Sequence, residues 1–314
     1  MTYDVIIIGA GAAGMTSGIY TARKNLKTLI VSIGVGGQTA IPSKIENYPG
    51  FDEVNGFELM AKFQMQAMKW GAEMITGKVQ SLDKKEDGTF LLKLANEEEY
   101  SAKAVILAFG KTPNNLGVPG EDKFMGKGVS VCVTCDGPLF RNKSIVIVGG
   151  GNSALGGVQE MAGIAKKIYL VHRRNEFRAD EIEVKRTKAL ENVEFVLSSV
   201  PTEVKGDQFV QALSVKNLNT EEVRDLEVDG VFIEIGFKVD SNFLGELVKR
   251  NERNEIIIDN NNLTSQAGVF AAGDVTNVQF KQTVISAGEG AKAALSAYHY
   301  LSGAKGTVSV DWDK

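Results

Sequence analysis

The sequence predicts an α/β protein that contains the same kind of nucleotide-binding unit twice. Two observations lead to this prediction. A short β-branched run is followed by a glycine-rich turn, a helical pattern and a second apolar run, and this order occurs once near the start of the chain and once near its middle. The length of 314 residues also suits roughly two domains of ~100–200 residues each.

The first copy begins with the strand-like run Val5–Ile8, which leads directly into Gly9-Ala-Gly-Ala-Ala-Gly14. A helical pattern from Met15 to Lys24 and the apolar run Thr28–Val31 complete the unit. The glycines allow a tight turn and close backbone approach, and the free N–H groups at the helix start attract a pyrophosphate. This context of strand, turn and helix makes the fingerprint a prediction of a Rossmann-type dinucleotide site.

The second copy follows the same order, with Ser144–Val148, then Gly149-Gly-Gly-Asn-Ser-Ala154, a helical pattern and Lys167–Val171. Ala154 takes the place of the third glycine, which the fingerprint permits. Two glycines, Gly156-Gly157, interrupt the predicted helix, where each costs about 1 kcal/mol relative to alanine. Close helix–strand packing or a bend would explain them.

The residue that ends the second strand of each copy predicts which ribose is bound. Ser32 and His172 each lie 23 residues after the first glycine of their fingerprint. Ser32 is uncharged and suits a ribose hydroxyl. The run His172-Arg-Arg174, with Arg178 shortly after it, suits a 2′-phosphate and favours NADPH over NADH. A solvated basic face is the alternative interpretation of these cations.

Composition narrows the class of protein. Hydrophobic residues make up 43% and charged residues 24% of the chain, as in ordinary globular proteins. The net charge of −4 and the isoelectric point near 5.5 argue against a nucleic-acid partner. No signal peptide is visible and no apolar run approaches the ~18 residues of a membrane span, so we expect a cytoplasmic protein without a membrane partner.

The two cysteines, Cys132 and Cys135, form a CxxC motif that Asp136 follows. A chain of this length can bury a core without a disulfide, and so short a loop would stabilise it by less than the ~3 kcal/mol of a 15-residue loop. Zinc would need four Cys or His ligands, and beside the two cysteines the chain has only His172, which is already assigned to the nucleotide site, and His299, so we expect no metal. The motif therefore predicts a dithiol that exchanges with an outside disulfide, with Asp136 as a candidate proton donor or acceptor.

A late segment completes the set of motifs. The β-like run Gly268–Val275 contains a Gly-Asp pair near its end, and a helical pattern follows from Lys281 through Leu301. The positive end of that helix could face an electron-rich ring such as a flavin.

Taken together, these motifs resemble those of the low-molecular-weight thioredoxin reductases, the bacterial and archaeal type of flavin-dependent pyridine nucleotide–disulfide oxidoreductase. The resemblance runs from Tyr3 to about Leu301 in the order Gly9-Ala-Gly-Ala-Ala-Gly14, Gly36-Gly-Gln38, Glu46-Asn-Tyr-Pro-Gly50, Cys132-Val-Thr-Cys-Asp136, Gly149-Gly-Gly-Asn-Ser-Ala154, His172-Arg-Arg174 and Gly268-Val-Phe-Ala-Ala-Gly-Asp274.

The resemblance implies two Rossmann-like three-layer domains, the second inserted into the first. Residues 1–112 and 242–314 would bind FAD, and residues 113–241 would bind NADPH and carry the CxxC motif. It also implies a homodimer. The implied FAD contacts are Gly9, Gly11, Ala12, Ala13, Gly14, Ser32, Gly37, Gln38, Asn47, Val79, Ala108, Gly110, Gly273, Asp274, Lys281, Gln282 and Thr283. The implied NADPH contacts are Gly151, Asn152, Ser153, His172, Arg173, Arg174, Arg178 and Ile235.

The activity that the resemblance implies is reduction of a thioredoxin-like protein disulfide by NADPH. Hydride would pass from NADPH to FAD and then to the Cys132–Cys135 disulfide, with Cys135 nearest the flavin. Cys132 would attack the partner disulfide, and Asp136 would protonate the leaving thiol. The NADPH domain would swivel between two poses about hinges near Pro113–Gly117 and Gly236–Asn242.

The sequence departs from the family pattern at three places: Phe109 within Ala108-Phe-Gly110, the proline-free stretch Gly236–Ser241, and Gly156-Gly157, where the family commonly has an acidic pair. Phe109 would either alter flavin access or pack in the core. A glutathione-reductase type of enzyme would use a late histidine with a glutamate, but the late histidine here, His299, is expected to pack or face solvent. The segment 306–314 contains no cysteine, so we expect no C-terminal redox tail.

Three other functions stay open from the sequence alone. The chain could be a flavin-dependent dithiol oxidase, a reductase supplied by ferredoxin or a similar carrier, or a nucleotide-sensing binding protein without turnover. The arginine cluster argues against the first, and the two-thiol motif argues against the third. A peroxide-linked flavoprotein reductase would be expected to add an N-terminal thioredoxin-like domain, which this sequence does not include.

Overall fold

The computed structural model describes residues 2–42 and 45–303, and the tail at 306–314 lies outside them. The strands are β1 (Thr2–Ile8), β2 (Thr28–Ser32), β3 (Glu73–Thr76), β4 (Val79–Lys84), β5 (Phe90–Leu94), β6 (Glu99–Leu107), β7 (Thr112–Pro113), β8 (Val129–Ser130), β9 (Ser144–Gly149), β10 (Lys167–Val171), β11 (Val193–Val196), β12 (Ser199–Gly206), β13 (Val210–Asn217), β14 (Val223–Glu227), β15 (Gly230–Glu234), β16 (Phe237–Lys238) and β17 (Val269–Ala271). The α-helices are α1 (Ala12–Arg23), α2 (Gly56–Lys69), α3 (Glu121–Phe124), α4 (Val133–Asp136), α5 (Asn152–Ala162), α6 (Glu181–Lys188) and α7 (Thr283–Ser302).

The chain divides into two compact units, and the second is inserted into the first. The first unit comprises Met1–Lys111 and Val239–Lys314, and the second comprises Thr112–Lys238. These divisions lie one and three residues before the boundaries expected from the sequence. The α/β fold class with one domain inserted into another is confirmed, whereas the assignment of a cofactor to each unit stays a prediction.

The first unit is built on a sheet with the strand order β3-β2-β1-β6-β5-β4, and β17 adds to β6. β1 pairs in parallel with both β2 and β6, while β4, β5 and β6 are antiparallel. Alternate residues of β1 point to opposite faces. Val5 and Ile7 pack in the cluster formed with α1 and α7, and Ile6 and Ile8 pack in the cluster on the other face. The apolar run therefore lies at the centre of this unit.

The second unit has three layers around the parallel sheet β11-β10-β9-β15-β8. Ile145 and Ile147 of β9 pack with residues of α5, whereas Val146 and Val148 pack with residues of the antiparallel sheet β12-β13-β14. A helical layer covers one face of the parallel sheet and a second sheet covers the other. This arrangement brings the ends of β9 and β15 to the start of α5.

The segments that enter and leave the second unit pair with each other. β7 and β16 form an antiparallel ribbon in which Phe237 is opposite Pro113, and the N–H of Asn114 donates to the carbonyl of Gly236 at 2.9 Å. This ribbon overlaps both segments that the sequence suggested as hinges. Their action as hinges stays a prediction.

The helices of the described ranges were compared with the length and apolar character of a membrane span. Over the two described ranges, no helix combines the length and the apolar character that a span would need.

Candidate redox and nucleotide-binding sites

The first glycine turn packs tightly at two of its glycines and is open at the third. A Cβ at Gly9, where φ is +111°, would lie 2.2 Å from the carbonyl oxygen of Ala108, and one at Gly14 would lie 1.9 Å from the oxygen of Gly9. Gly11, the N-cap of α1, would meet only the oxygen of Gly36, at 4.0 Å. The first turn of α1 has no acidic side chain. Backbone N–H groups at the helix start are thus accessible to an anion.

Two later glycines bring distant segments against the start of α1. A Cβ at Gly273 would be 2.9 Å from Cβ of Ala13, and one at Gly290 on α7 would be 2.2 Å from the oxygen of Ala13. Gly37 lies close to Gly11, since its Cβ would be 3.4 Å from the Gly11 Cα. The structure therefore gathers several of the predicted FAD residues around the helix that follows the first glycine turn.

A cavity of about 570 Å³ in the first unit lies at the start of α7. Its lining includes six of the predicted FAD residues, Gln38, Asn47, Asp274, Lys281, Gln282 and Thr283. Asn47 Nδ2 donates to Gln282 Oε1 at 3.3 Å, and the hydroxyls of Thr39 and Thr283 are 3.2 Å apart. Two segments distant in sequence thus form one polar wall. The N-terminal N–H groups of α7, with no acidic side chain in the first turn, face the same region.

The other predicted FAD residues have varied positions. Ser32 ends β2, and its hydroxyl donates to the carbonyl of Gly34 at 2.7 Å. Ala12 begins α1, Val79 begins β4 and packs against the apolar core, and Gly110 has a positive φ of 66° just after β6. These four do not line the cavity.

Phe109 packs in the core of the first unit. Its ring contacts Phe243 edge to face, with 5.0 Å between ring centroids, and it packs against the second apolar cluster of that unit. The sequence left two interpretations of Phe109 open, altered flavin access and packing in the core. The structure supports packing, because Phe243 lies against its ring.

The sequence did not predict a role for Glu289 on α7. Its Oε2 accepts the backbone N–H of Gly273 at 2.7 Å, and burial raises the pKa of its carboxyl group. Lys281 lies in the same region, where its Nζ donates to the carbonyl of Thr276 at 2.6 Å and burial lowers its pKa, assisted by the charge of Lys111. The signal in the sequence is an acid between two glycines, Gly288-Glu-Gly290, in a helix rich in small residues.

The second glycine turn, like the first, is tightly packed at two of its glycines and open at one. A Cβ at Gly149 would lie 2.3 Å from the oxygen of Glu234, and one at Gly150 would lie 2.2 Å from the ring of His172. Gly151, the N-cap of α5, has nothing within 4 Å of such an atom. The open glycine again stands at the start of the helix, where a pyrophosphate would approach.

His172 is held within the fold rather than free in solvent. The residue is 8% exposed, its ring stacks on Phe177 with 5.4 Å between ring centroids, and its Nε2 is 3.1 Å from the carbonyl oxygen of Glu176. Burial lowers the pKa of its imidazole, so His172 is neutral near pH 7. The positive charge of this loop is therefore carried by its arginines.

The three arginines have exposed side chains, Arg173, Arg174 and Arg178, and none forms an ion pair within the described ranges. The backbone N–H of Arg178 donates to the oxygen of Gly150 at 2.8 Å, which joins this loop to the glycine turn.

Asn152 is fixed by hydrogen bonds with Asp180 at 2.8 and 3.1 Å. Ser153 is exposed beside it, and Ile235 is exposed just after β15.

Cys132 and Cys135 form a disulfide, with 5.3 Å between their Cα atoms. Cys132 is the N-cap of α4, and its Sγ accepts the backbone N–H of Cys135 at 3.1 Å. Cys132 is half-buried and Cys135 is exposed. Asp136 ends α4, and its carboxylate has no hydrogen bond to any described residue.

Helix α4 packs on α5, the helix that follows the second glycine turn. A Cβ at Gly157 would be 2.9 Å from Val133 Cγ2, and Thr134 Oγ1 donates to Glu160 Oε2 at 2.9 Å. The suggested helix–strand packing at the glycine pair is thus corrected to packing of helix on helix. Gly156 has nothing within 4 Å and makes no such contact.

The late histidine and the acidic side chains suggest no further chemistry. His299 is half-buried on α7, and its Nδ1 has no hydrogen-bond partner among the residues that the structure describes. Within those same residues, no group of three or more His, Cys, Asp or Glu side chains could hold a metal ion.

Known proteins resemble this chain over most of its length. Residues 3–290 match the family described as pyridine nucleotide-disulphide oxidoreductase. An alkyl hydroperoxide reductase subunit of Staphylococcus epidermidis is 38% identical over 299 residues, which are 95% of this chain and 59% of that protein. The chain thus spans about three-fifths of the length of the curated relatives it matches.

The solved structures give close matches over nearly the whole chain. Thioredoxin reductase of Lactococcus lactis is 36% identical with a TM-score of 0.86, covering 96% of this chain and all of the other. Thioredoxin reductase of T. acidophilum is 38% identical with a TM-score of 0.83, covering 95% of this chain and 98% of the other. Both units of this chain fall within these matches.

Proposed function

Because this chain belongs to the pyridine nucleotide-disulphide oxidoreductase family, we propose that it is an NADPH-dependent thioredoxin-disulfide reductase that carries FAD. The observation on which the proposal depends is the Cys132–Cys135 disulfide at the start of α4, packed on the helix of the second glycine turn. The match to two thioredoxin reductases over at least 95% of the chain supports it. A cytoplasmic homodimer belongs to the same proposal.

The first unit fits FAD. The space at Gly11 leaves the start of α1 open to a pyrophosphate, and the cavity beside α7 lies within the ~300–1,000 Å³ range of cofactor sites. A bound flavin would accept two electrons from a reduced pyridine nucleotide and release them to a disulfide. The chain would orient it through the side chains of Gln38, Asn47 and Thr283.

The second unit fits NADPH. Gly151 leaves the start of α5 open to the pyrophosphate, and Arg173 and Arg174 would hold the 2′-phosphate by bidentate hydrogen bonds. His172 is neutral and packed beneath Gly150, so it would support the loop through its ring rather than by its charge.

The dithiol would act by two exchange reactions. The thiolate of Cys132 attacks one sulfur of the partner disulfide, a mixed disulfide forms, and the other partner sulfur leaves and takes a proton. Asp136, whose carboxyl group makes no hydrogen bond to the described residues, would supply that proton from its protonated form. The thiolate of Cys135 then attacks Cys132, which restores the internal disulfide and releases the second partner thiol. The N–H of Cys135, 3.1 Å from Cys132 Sγ, would stabilise a Cys132 thiolate and supports Cys132 as the attacking group.

The test is an anaerobic titration of the purified yellow protein with NADPH and, separately, with NADH. The proposal expects NADPH to bleach the flavin absorbance at a lower concentration than NADH, and the reduced protein then to reduce a thioredoxin disulfide. If NADPH leaves the flavin oxidised and reduced ferredoxin bleaches it, the electron donor would be ferredoxin and not NADPH. Rapid reoxidation by oxygen with a dithiol as donor would identify an oxidase.

The curated relatives favour a second candidate, the reductase component of an alkyl hydroperoxide reductase. The same dithiol would then deliver its electrons to a disulfide of a peroxidase component. Consumption of NADPH with an organic hydroperoxide and that peroxidase, but not with thioredoxin, would select this candidate. Consumption with thioredoxin alone would select the first.

A further inference from the structure

Glu289 binds the backbone of a turn at the cavity of the first unit. It lies on α7 and is 7% exposed, and its Oε2 accepts the N–H of Gly273 at 2.7 Å. The carbonyl oxygen of Gly273 accepts the hydroxyl of Thr276 at 2.8 Å. Both backbone polar groups of this buried glycine are therefore paired, and the partner of the N–H is a side chain from a distant helix.

Both the turn and the helix are held against α1. A Cβ at Gly273, where φ is +79°, would be 2.9 Å from Cβ of Ala13. On α7, a Cβ at Gly290 would be 2.2 Å from the oxygen of Ala13, and the hydroxyl of Ser17 donates to the carbonyl of Gly290 at 2.9 Å. Glu289 precedes Gly290 directly, so its backbone is fixed where α7 meets α1.

The residue that follows Gly273 lines the cavity. Asp274 contributes to the cavity wall, and so does Ser286, which lies one turn before Glu289 on α7. The hydroxyl of Ser286 donates to Asp274 Oδ1 at 3.3 Å. Helix α7 therefore contacts this turn twice, at the backbone of Gly273 and at the carboxylate of Asp274. Glu289 does not itself line the cavity, so any effect it has there passes through the turn.

We propose that Glu289 is a positioning residue of the flavin site, which fixes the N–H of Gly273 and so holds the carboxylate of Asp274 in the cavity wall. A buried N–H without an acceptor is unfavourable, so loss of Glu289 would make the turn rearrange to pair that group elsewhere. The carboxylate of Asp274 can accept hydrogen bonds from the hydroxyl groups that FAD carries. The inference rests on the proposed function in taking Asp274 as an FAD contact.

The experiment measures how fast the full-length holoprotein exchanges its bound FAD for radiolabelled FAD. The variants are Glu289→Ala, Glu289→Gln, Asp274→Ala and the double variant Glu289→Ala/Asp274→Ala, each with its urea midpoint. Leu92→Ala is the control for a general loss of stability. Leu92 is fully buried on β5, packs in the cluster on the other face of the sheet and does not line the cavity.

Glu289→Ala should exchange FAD about tenfold faster than the wild type or more. Glu289→Gln should stay within about threefold of the wild type, because its amide oxygen can still accept the N–H of Gly273. Leu92→Ala should also stay within about threefold, despite a lower urea midpoint. In the Asp274→Ala background, loss of Glu289 should add less than about threefold, since both residues act through one contact with FAD.

Three outcomes would overturn the inference. The first is a Glu289→Ala protein that exchanges FAD no faster than Leu92→Ala, which would leave Glu289 a structural role only. The second is a glutamine variant as fast as the alanine variant, and the third is full additivity in the double variant. If Glu289→Ala yields no folded holoprotein, Glu289→Asp takes its place with the same expectation, because its carboxylate ends one methylene short of the turn.

The result is separable from the proposed function, because exchange of FAD needs neither NADPH nor a thiol. Fast exchange in Glu289→Ala, in a protein whose flavin NADPH fails to reduce, would retain the role of Glu289 and reject the NADPH-dependent reductase. Exchange at the wild-type rate in an active reductase would do the reverse.

Discussion

Gly157 on α5 lies against the side chain of Val133 on α4, so closely that a Cβ at position 157 would be 2.9 Å from Val133 Cγ2. This contact joins the helix of the second glycine turn to the helix that carries the cysteines. The adjacent Gly156 is exposed and has nothing within 4 Å of a Cβ. Two neighbouring glycines of one helix thus have opposite surroundings, one packed and one open.

Alanine should act in opposite directions at these two positions. Gly156→Ala should stabilise the protein by about 0.5–1 kcal/mol through helix propensity alone. Gly157→Ala gains the same propensity but must displace Val133, and we expect a net destabilisation of about 1–3 kcal/mol. Urea denaturation of both variants and the wild type measures this difference. Equal stabilisation by both substitutions would show that α4 moves away from α5 without cost.

Removal of one cysteine should separate the two half-reactions. In Cys135→Ser, reduction of a protein disulfide should fall by about 10³-fold or more because the internal disulfide can no longer form. Bleaching of the flavin by NADPH should persist, since it needs no thiol. Stopped-flow absorbance and a thioredoxin-reduction assay measure the two steps. Undiminished disulfide reduction would exclude the dithiol as the exit for electrons.

The arginines of the second unit should determine the choice of nucleotide. Arg173→Ala combined with Arg174→Ala should raise the KM for NADPH by about tenfold or more, as expected for loss of hydrogen bonds to a charged group worth about 1.5–3 kcal/mol each. The KM for NADH should change little. Arg224→Ala, on the exposed strand β14, is the control. Equal changes for both nucleotides would support the alternative of a solvated basic face.

Alanine substitutions at the glycines of the first turn should have different effects on folding and on flavin binding. Gly14→Ala would place a Cβ 1.9 Å from the oxygen of Gly9 and should prevent folding or cost more than about 3 kcal/mol. Gly11→Ala meets no close atom and should fold, yet weaken flavin binding about tenfold, or about 1.4 kcal/mol. Gly34→Ala, which has nothing within 4 Å, should do neither. Circular dichroism and flavin content distinguish the three. A Gly11→Ala protein with full flavin would place the pyrophosphate elsewhere.

Glu234 should make stability depend on pH. Its pKa is raised in the fold from 4.5 to about 7, so between these values the folded state binds more protons than the unfolded state. Stability therefore falls as pH rises from about 4.5 to about 7, by on the order of 1–3 kcal/mol at this mostly buried site. In Glu234→Gln this part of the pH dependence should disappear. Denaturation of both proteins at pH 5 and pH 8 measures it, and identical pH dependence in the two would contradict the expectation.

The sequence alone determined the features whose cause is local. A β-branched run before Gly9 or Gly149 predicts a buried strand that turns into a helix, because backbone sterics require glycine where the chain doubles back. Local patterns of this kind identified both glycine turns and the α/β class, and the spacing of the two cysteines identified the CxxC motif. Other predicted FAD contacts of the first unit, such as Asn47 and Thr283, were identified from the resemblance to family motifs and not from the periodicity of the sequence.

Only the tertiary structure decided which of these segments meet. The contact between Gly157 and Val133 and the hydrogen bond between Gly273 and the buried Glu289 both join residues that are distant along the chain. Strand order and helix packing set such contacts, and the same local pattern is compatible with many of them. Burial, and with it the pKa of an acid, depends on those neighbours, which is why His172 looked like a free cation in the sequence and is a packed, neutral ring in the fold.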